Sequence, residues 1–393
     1  MSDHPLDWTR TIFGSVLNQR KEAGYPNEEL LAVTSSLGIV KRDTLERRDT
    51  SNEDKSKYLL VNEGDIAYNT MRMWQGVSGV SRFRGIVSPA YTICTPTERL
   101  DAGFAGYLLK DPEMVSIFRQ RSQGLVSDTW NLKYESFAQI PCVIPPLPEQ
   151  KKIAEILSGI DRVITQSRQS LEKLALLERA TIKSTIDRIE KIDSNCRQLS
   201  AGEICRRIFV GIASSTTHAY TDNTGVPMLR NQNIKSGTID GADLVYISRE
   251  FAEEQKSKRL LQGDVITART GYPGASAVVG REFENCHSFT TLISRVETDI
   301  VNPEYYSLYL NSPQGKAQVA QLQAGGAQEN LNVGALAKMI IPVPDLDTQI
   351  SIVKASEEFS RTFRAKESVI RKNERLKDAL SSDLLSGRTR VSV

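Results

Sequence analysis

The strongest constraint on this chain is that it carries its own plan twice. One stretch opens Leu147-Pro148-Glu149-Gln150 and then places apolar residues at Ile153, Leu157, Ile160, Ile164, Leu171, Leu174 and Leu177. Steps of four and three, near 3.5 on average, suit a helical seam that packs against another helix. Gln349 lies 199 positions after Gln150, and at that offset Ile153 maps to Ile352, Ile160 to Phe359, Ile164 to Phe363, Leu171 to Ile370 and Leu177 to Leu376. The second seam is weaker, with Ser356, Lys366 and Asn373 falling on it. Upstream, the same offset maps Asn131-Leu132 onto Asn330-Leu331, Phe137 onto Leu336, Ile144-Pro145 onto Val343-Pro344, and Gly64-Asp65-Ile66 onto Gly263-Asp264-Val265.

A β-rich module followed by a long helix, then both again, is the simplest reading. Each helix of roughly 40 residues would be about 60 Å long. Two seams in register in one chain most simply bury each other as an antiparallel pair; the plainer alternative is two ordinary core helices inside larger domains. The expected fold class is α+β, with two β-rich modules joined by two antiparallel helices in a coiled-coil spacer and related by a pseudo-twofold internal repeat. The expected boundaries are a first module over 1–146, a central helix over 147–191, a second module over 192–344 and a C-terminal helix over 345–390.

A chain of 393 residues has room for two or three domains. Its hydrophobic fraction of 39% and charged fraction of 25% are those of a soluble globular protein. No apolar run approaches the ~18 residues a membrane span needs, and Met1 to Arg10 lacks the basic-then-apolar layout of a secretory signal. Cys94, Cys142, Cys196, Cys205 and Cys286 show no CxxC spacing, and the three histidines, His4, His218 and His287, lie far apart. No zinc site is expected, and the thiols fit a reducing cytosol. The net charge of +2 is small for a protein that binds nucleic acid unaided. If DNA is the ligand, basic residues must be clustered locally, or other subunits must supply much of the phosphate binding.

Within the first module, Leu30 to Val33 and Gly38 to Val40 read as short strands, and Lys41 to Lys57 as a charged loop or helix carrying Arg42, Arg47, Arg48, Lys55 and Lys57. Asn62-Glu63-Gly64-Asp65 signals a turn before a strand at Ile66 to Asn69. Met71 to Gly76, Gly79, Gly85 and Ser88 to Tyr91 interleave glycine with Trp, Tyr, Arg and Gln, which fits an exposed reading surface as well as a tight β-meander. Phe104 to Gln120 reads helical. In the second module Val226 to Ile234 puts Arg and amides at a strand edge, and Gly263 to Gly274 forms a turn, a strand and a glycine loop. Asn302-Pro303 opens a helix as N-cap and first residue. Gly325-Gly326 ends a loop, and Gly387 is placed to cap the last helix.

The chemistry of an enzyme is missing from the pattern. No GxxxxGK[ST], GxSxG, HExxH or GxGxxG occurs. Asn302-Pro303-Glu304-Tyr305 superficially resembles an adenine-methyltransferase motif but lacks a cofactor fingerprint, and Glu149-Gln150-Lys151 and Glu254-Gln255-Lys256 are of a form common by chance. A base reader needs less. Asn or Gln pairs with adenine and Arg or Lys with guanine, while Arg, Lys, Ser and Tyr hold phosphates. The candidates are Asn69, Arg72, Trp74, Gln75, Arg82 and Arg84 in the first module, and Arg230, Asn231, Asn233, Lys235, Arg269, Tyr272 and Arg281 in the second.

The duplicated entries from Asn131 to Gln150 and from Asn330 to Gln349 resemble those of type I restriction-modification specificity subunits. Arg230 to Ile234, Gly263 to Gly274 and Leu384-Leu385-Ser386-Gly387-Arg388 add to the likeness. It covers essentially the whole chain. It implies two target-recognition domains, each reading half of a split asymmetric DNA site, on a spacer of two paired helices. It implies no catalytic site and no cofactor on this chain. Two methyltransferase subunits using S-adenosylmethionine for adenine N6 methylation, and two ATP- and Mg-dependent restriction subunits, would dock on it. Two modules reading one face of a duplex should sit about 34–36 Å apart, which a helix pair of about 60 Å can span. The modules share a frame but not their loops, since Met71 to Gly76 has no good sequence counterpart in Thr270 to Gly274; the half-sites should therefore differ. Unlike the second helix, the first lacks a Leu-Leu-Ser-Gly-Arg ending and runs on through Ile186 and Ile189. The competing expectations are a fused methyltransferase or restriction polypeptide, and a coiled-coil adaptor whose β modules bind protein.

Overall fold

A computed structural model describes residues 5–35, 38–45, 54–124, 129–192, 195–324 and 330–392. It divides into two units, Met1–Arg168 with Ser368–Val393, and Gln169–Glu367. Gly325, Gly326, Arg47 and Arg48 lie outside the described residues.

In the first unit, strand β1 (Thr9–Ile12) is followed by β2 (Leu17–Arg20), β3 (Leu31–Thr34), β4 (Gly38–Lys41), β5 (Leu59–Val61), β6 (Ile66–Asn69), β7 (Ser78–Val80), β8 (Gly85–Val87) and β9 (Tyr91–Pro96). Helices α1 (Ala102–Leu108), α2 (Pro112–Arg121) and α3 (Tyr134–Ala138), strand β10 (Pro141–Ile144) and the start of α4 (Leu147–Ile192) complete it. Four strands form a sheet in the order β2-β9-β6-β7, β1 pairs with β10, and β3–β4 and β5–β8 are separate antiparallel pairs. The helix expected over Phe104 to Gln120 is two helices. Pro112 has no N–H to continue the first, and Asp111 starts the second by accepting from the N–H groups of Glu113 and Met114.

The second unit repeats the plan. After β11 (Arg197–Ser200), α5 (Ala201–Ile204) and β12 (Cys205–Val210) come β13 (Tyr220–Thr221), β14 (Val226–Leu229), β15 (Ile234–Lys235), β16 (Thr238–Ile239), β17 (Val245–Ile247) and α6 (Arg249–Glu254). Then follow β18 (Val265–Thr267), β19 (Ser276–Val278), β20 (His287–Ser288), β21 (Leu292–Val296), α7 (Pro303–Asn311), α8 (Pro313–Ala324), α9 (Val333–Ala337), β22 (Ile340–Val343) and α10 (Leu346–Ser386). The sheet β12-β21-β18-β19 has the connectivity of β2-β9-β6-β7, and β11 pairs with β22 as β1 pairs with β10. What differs is the insert between the second strand of the frame and the strand that opens at the Gly-Asp turn. In the second unit it supplies β13, β14 and β17 of a further sheet, β13-β17-β14-β20, which β20 completes from the segment between β19 and β21.

Buried polar residues explain why particular short motifs recur. Gln150 is fully buried: its Oε1 accepts from Asp101 N (2.8 Å) and its Nε2 donates to Arg99 O (3.0 Å) and Pro145 O (2.8 Å). Gln349 does the same with Asn302 N (2.8 Å), Ile300 O (3.1 Å) and Pro344 O (2.8 Å). Each glutamine ties the start of a long helix to the N-cap residue of α1 or α7, since Asp101 and Asn302 cap those helices. The repeated Gly-Asp pair is a turn with glycine at φ +84° and +86° and a buried carboxylate behind it. Asp65 accepts from Arg20, Thr95 and Asn62 N; Asp264 accepts from both Nε and Nη2 of Arg295 and from Leu261 N.

Antiparallel packing of α4 and α10 is visible inside each unit. In the first, Asp161 pairs with Lys377 and Arg168 with Glu374, so rising numbers on one helix meet falling numbers on the other. Ile153 and Leu157 share a core there with Leu384 and Leu385. In the second, Ile186 and Ile189 share a core with Ile352. Ile153, Leu157, Ile164, Ile352 and Ile370 are buried, and Ile160, Leu171, Leu174, Phe359 and Phe363 are half-buried. Leu177 and Leu376 depart from the expected seam: they are 56% and 48% exposed. A spacing of 3.5 drifts against a straight helix of 3.6 residues per turn, and by Leu177 the direction has rotated about 120° from that of Ile153. The polar Ser356, Lys366 and Asn373 are half-buried on α10.

Candidate nucleic-acid interface

The frame holds one loop in the same place in each unit. Between β6 and β7 runs 70–77, Thr-Met-Arg-Met-Trp-Gln-Gly-Val; between β18 and β19 runs 268–275, Ala-Arg-Thr-Gly-Tyr-Pro-Gly-Ala. Measured between the strands each spans eight residues; between equivalent anchors the second is one residue shorter, 269–274 against 70–76, and the bases are fastened alike. Asn69 N donates to Val77 O (3.0 Å), as Ala268 N donates to Ala275 O (2.8 Å). Leu132 N donates to Thr70 O (2.8 Å), as Leu331 N donates to Arg269 O (3.2 Å). Gly76 and Gly274 both have positive φ, and a Cβ on either would lie 3.0 Å from a valine methyl, Val115 on α2 or Val319 on α8. Only glycine meets both demands without displacement. Ser78 and Ser276 then donate from Oγ to the carbonyls of Gly76 and Gly274. Between these anchors the two sequences are unrelated.

In the first unit the loop makes a short 3-10 turn at Met73–Gln75. Asn69 accepts from Met71 N through Oδ1 (3.0 Å), so it shapes the turn. Trp74 is half-buried, donates to Met71 O (3.0 Å) and meets Trp130 edge to face at 5.5 Å between centroids. The Arg119 guanidinium lies 5.8 Å from the Trp130 ring centre. This aromatic brace leaves Met71, Arg72 and Gln75 exposed. Arg82 is also exposed, while Arg84 is committed to Glu28 and Asn62 and lies over Tyr25. Trp130 and Arg119 escaped sequence reasoning. Trp130 adjoins the repeated Asn131-Leu132, which could have marked it; nothing in the pattern marks Arg119.

In the second unit three loops converge on Asn231. Its Oδ1 accepts from Arg269 N (2.7 Å) and Thr270 N (3.4 Å), and its Nδ2 donates to Thr290 Oγ1 (3.2 Å). Thr290 has φ +53°, an outlying conformation for a β-branched residue that persists only where surrounding contacts enforce it. Arg269 is half-buried and donates from Nε to Leu331 O (3.1 Å). Tyr272 stands 79% exposed on this base. Arg230 donates to Asp243 O, and Lys235 and Arg281 are exposed on β15 and on the short turn after β19. Asn233 does not face outward as expected. It is 2% exposed, and it accepts from Arg230 N while donating to Asp240 O and Ala242 O, so its amide is spent inside its own loop.

Comparisons with known proteins decide the family. A model described as the type I restriction modification DNA specificity domain matches residues 39–176 and 202–374. The chain belongs to that family. Among curated relatives it is 22% identical over 355 residues to the type I restriction enzyme MjaVIII specificity subunit of Methanocaldococcus jannaschii, covering 86% of this chain and 81% of that one. It is 23% identical over 289 residues to the EcoKI specificity subunit of Escherichia coli, covering 68% and 60%. Its fold matches a chain from a study of type I restriction-modification complex assembly with TM-score 0.64 and 15% identity over 99% of this chain and 100% of that one. It matches the specificity subunit from M. genitalium with TM-score 0.60 and 12% identity over 97% and 96%. Two β-rich modules and a pair of long helices are thus a family architecture. Among the described residues no helix is long and apolar enough to cross a membrane.

Proposed function

We propose that this chain reads a split, asymmetric DNA site, one half per recognition module, and directs partner subunits to it without catalysing a reaction itself. The observation that carries this reading is the pair of eight-residue loops: one frame and one set of anchors, presented twice with unrelated tips. A reader of two equal half-sites would have no need to diverge between the anchors. Aromatic, arginine and amide side chains at those tips suit phosphate and base contacts. The net charge of +2 fits a subunit whose partners clamp much of the DNA.

The partners are two methyltransferase subunits, which bind S-adenosylmethionine and hold the extruded adenine, and two restriction subunits, which use ATP and Mg. The complex works in the cytoplasm, where its DNA lies. Methylation mapping of DNA from cells expressing this chain with its neighbouring methyltransferase, against cells lacking the chain, tests the proposal. A new split motif with N6-methyladenine in both halves is expected, and exchanging 1–146 for another module should change one half only. An assembled complex that produces no motif would overturn the reading in favour of a protein-binding adaptor.

A further inference from the structure

Tyr272 is the most exposed aromatic side chain on either frame, and its loop is unusually well held. Tyr272 N donates to Thr270 O (2.9 Å), Gly274 N to Ala268 O (3.0 Å) and Ala275 N to Tyr272 O (3.1 Å), so the loop closes on itself. Asn231 fastens its first half from outside, and the Gly274–Val319 contact fastens its second. Gly271, at φ +76°, has open space around it. The ring therefore stands beside a slim backbone that can approach a ligand closely. A rigid loop with a bare aromatic at its tip loses little freedom on binding, because the order is already in place. A single exposed ring is common on protein surfaces; what sets Tyr272 apart is the fastened loop that presents it. In the first unit the loop on the same frame ends in another bare apolar side chain, Met71, 46% exposed and braced by Trp74 and Trp130.

We propose that Tyr272 makes an apolar contact with base edges exposed in the groove of the half-site read by the second module, that Met71, exposed on the corresponding loop, does so in the first, and that Asn231 acts as a positioning residue for the Tyr272 loop. This rests on the DNA-reading function above and assigns roles within it. A ring or thioether against a base edge, such as a thymine methyl, contributes affinity without neutralising a phosphate. Asn231, with both ends of its amide engaged by Arg269, Thr270 and Thr290, reads nothing directly.

The test uses the full chain assembled with its methyltransferase, on duplex DNA carrying the motif mapped for the wild type, across a range of salt concentrations. Tyr272→Ala should weaken binding about tenfold, equivalent to about 1.4 kcal/mol, with the slope of log affinity against log salt unchanged. Tyr272→Phe should bind like the wild type, and Tyr272→Ala should relax one half of the methylation motif while Met71→Ala relaxes the other. Asn231→Ala should weaken binding similarly, and the double variant with Tyr272→Ala should be no worse than Tyr272→Ala alone, because the two act through one contact. Unchanged affinity and motif in Tyr272→Ala would overturn the proposal. So would a salt slope reduced by about one, or a Phe variant as weak as Ala, which would mean that the hydroxyl makes the contact. If the wild type itself yields no motif and no salt-dependent binding, the DNA-reading function has failed and this assignment falls with it.

Discussion

Gln349 offers a demanding test of the repeated frame. Replacing it by alanine removes one acceptor and two donated bonds at a fully buried position, orphaning Asn302 N, Ile300 O and Pro344 O. Each buried polar group left without a partner costs about 1–3 kcal/mol. The three share one side chain and the site can partly relax, so the total is about 3–5 kcal/mol. Gln349→Glu keeps an acceptor for Asn302 N but aims a second oxygen at two carbonyls, so it should be no milder. The damage should be local. Amide hydrogen exchange should accelerate at Asn302 and through α7 in Gln349→Ala, with Asp101 unchanged. Gln150→Ala should do the reverse, accelerating Asp101 and α1. Urea midpoints followed by probes in each unit should fall by similar amounts for the two variants, because the two sets of bonds are nearly superimposable in length. Wild-type exchange at Asn302 in the Gln349 variant, or a loss below about 1 kcal/mol, would refute the idea that these glutamines lock module to helix.

Three further outcomes follow from the structure. His287 is fully buried with Nε2 at 3.1 Å from Ala252 O, and desolvation, reinforced by the nearby Arg259, holds its imidazole pKa below the ordinary value. The unfolded chain therefore takes up a proton that the folded one resists, so stability is present above about pH 6.5 and falls as pH drops below it; thermal unfolding of wild type and His287→Gln between pH 7.5 and 5 should show that slope flattened in the variant. Leu177→Gln and Leu376→Gln should each shift stability by under about 0.5 kcal/mol, whereas Ile164→Ala should cost about 2–5 kcal/mol, measured by urea unfolding. Arg390 forks onto Glu149 and Asp7 with four bonds of 2.7–2.9 Å; Arg390→Ala should make the segment after Gly387 the first site of limited proteolysis, and intact resistance there would show that the fork is dispensable.

Repetition made the frame legible. Gly-Asp, Asn-Leu and the glutamine at each long helix recur because each is set by a backbone demand or a buried bond that both copies share, such as the positive φ of Gly64 and Gly263. The helix pair was visible for the same reason. Its far end was misjudged at Leu177 and Leu376 because a constant 3.5 spacing was carried past the point where a straight helix turns its seam away. The candidate reading residues were legible only as types. Asn231 and Asn233 sit two positions apart in one motif, yet one fastens a neighbouring loop and the other is swallowed by its own. That difference depends on Asp240, Ala242 and Thr290, residues distant enough that no local pattern announces them. The brace of Trp74, Trp130 and Arg119 was hidden in the same way, since it joins two loops far apart in the chain.

The pin of Gly76 on Val115 and of Gly274 on Val319 has a consequence for descent. Because each loop is gripped at its ends, mutations at its exposed positions, Met71, Arg72 and Gln75 in the first and Thr270 and Tyr272 in the second, alter what is touched while sparing what is held; the buried Met73 and the braced Trp74 are not among them. Most such changes would be invisible to selection for stability and visible only to selection for the site that is read. A lineage built on this frame can change its half-sites by single steps within the few exposed positions of each loop. The glycine, by contrast, is held by its positive φ as well as by the valine beside it.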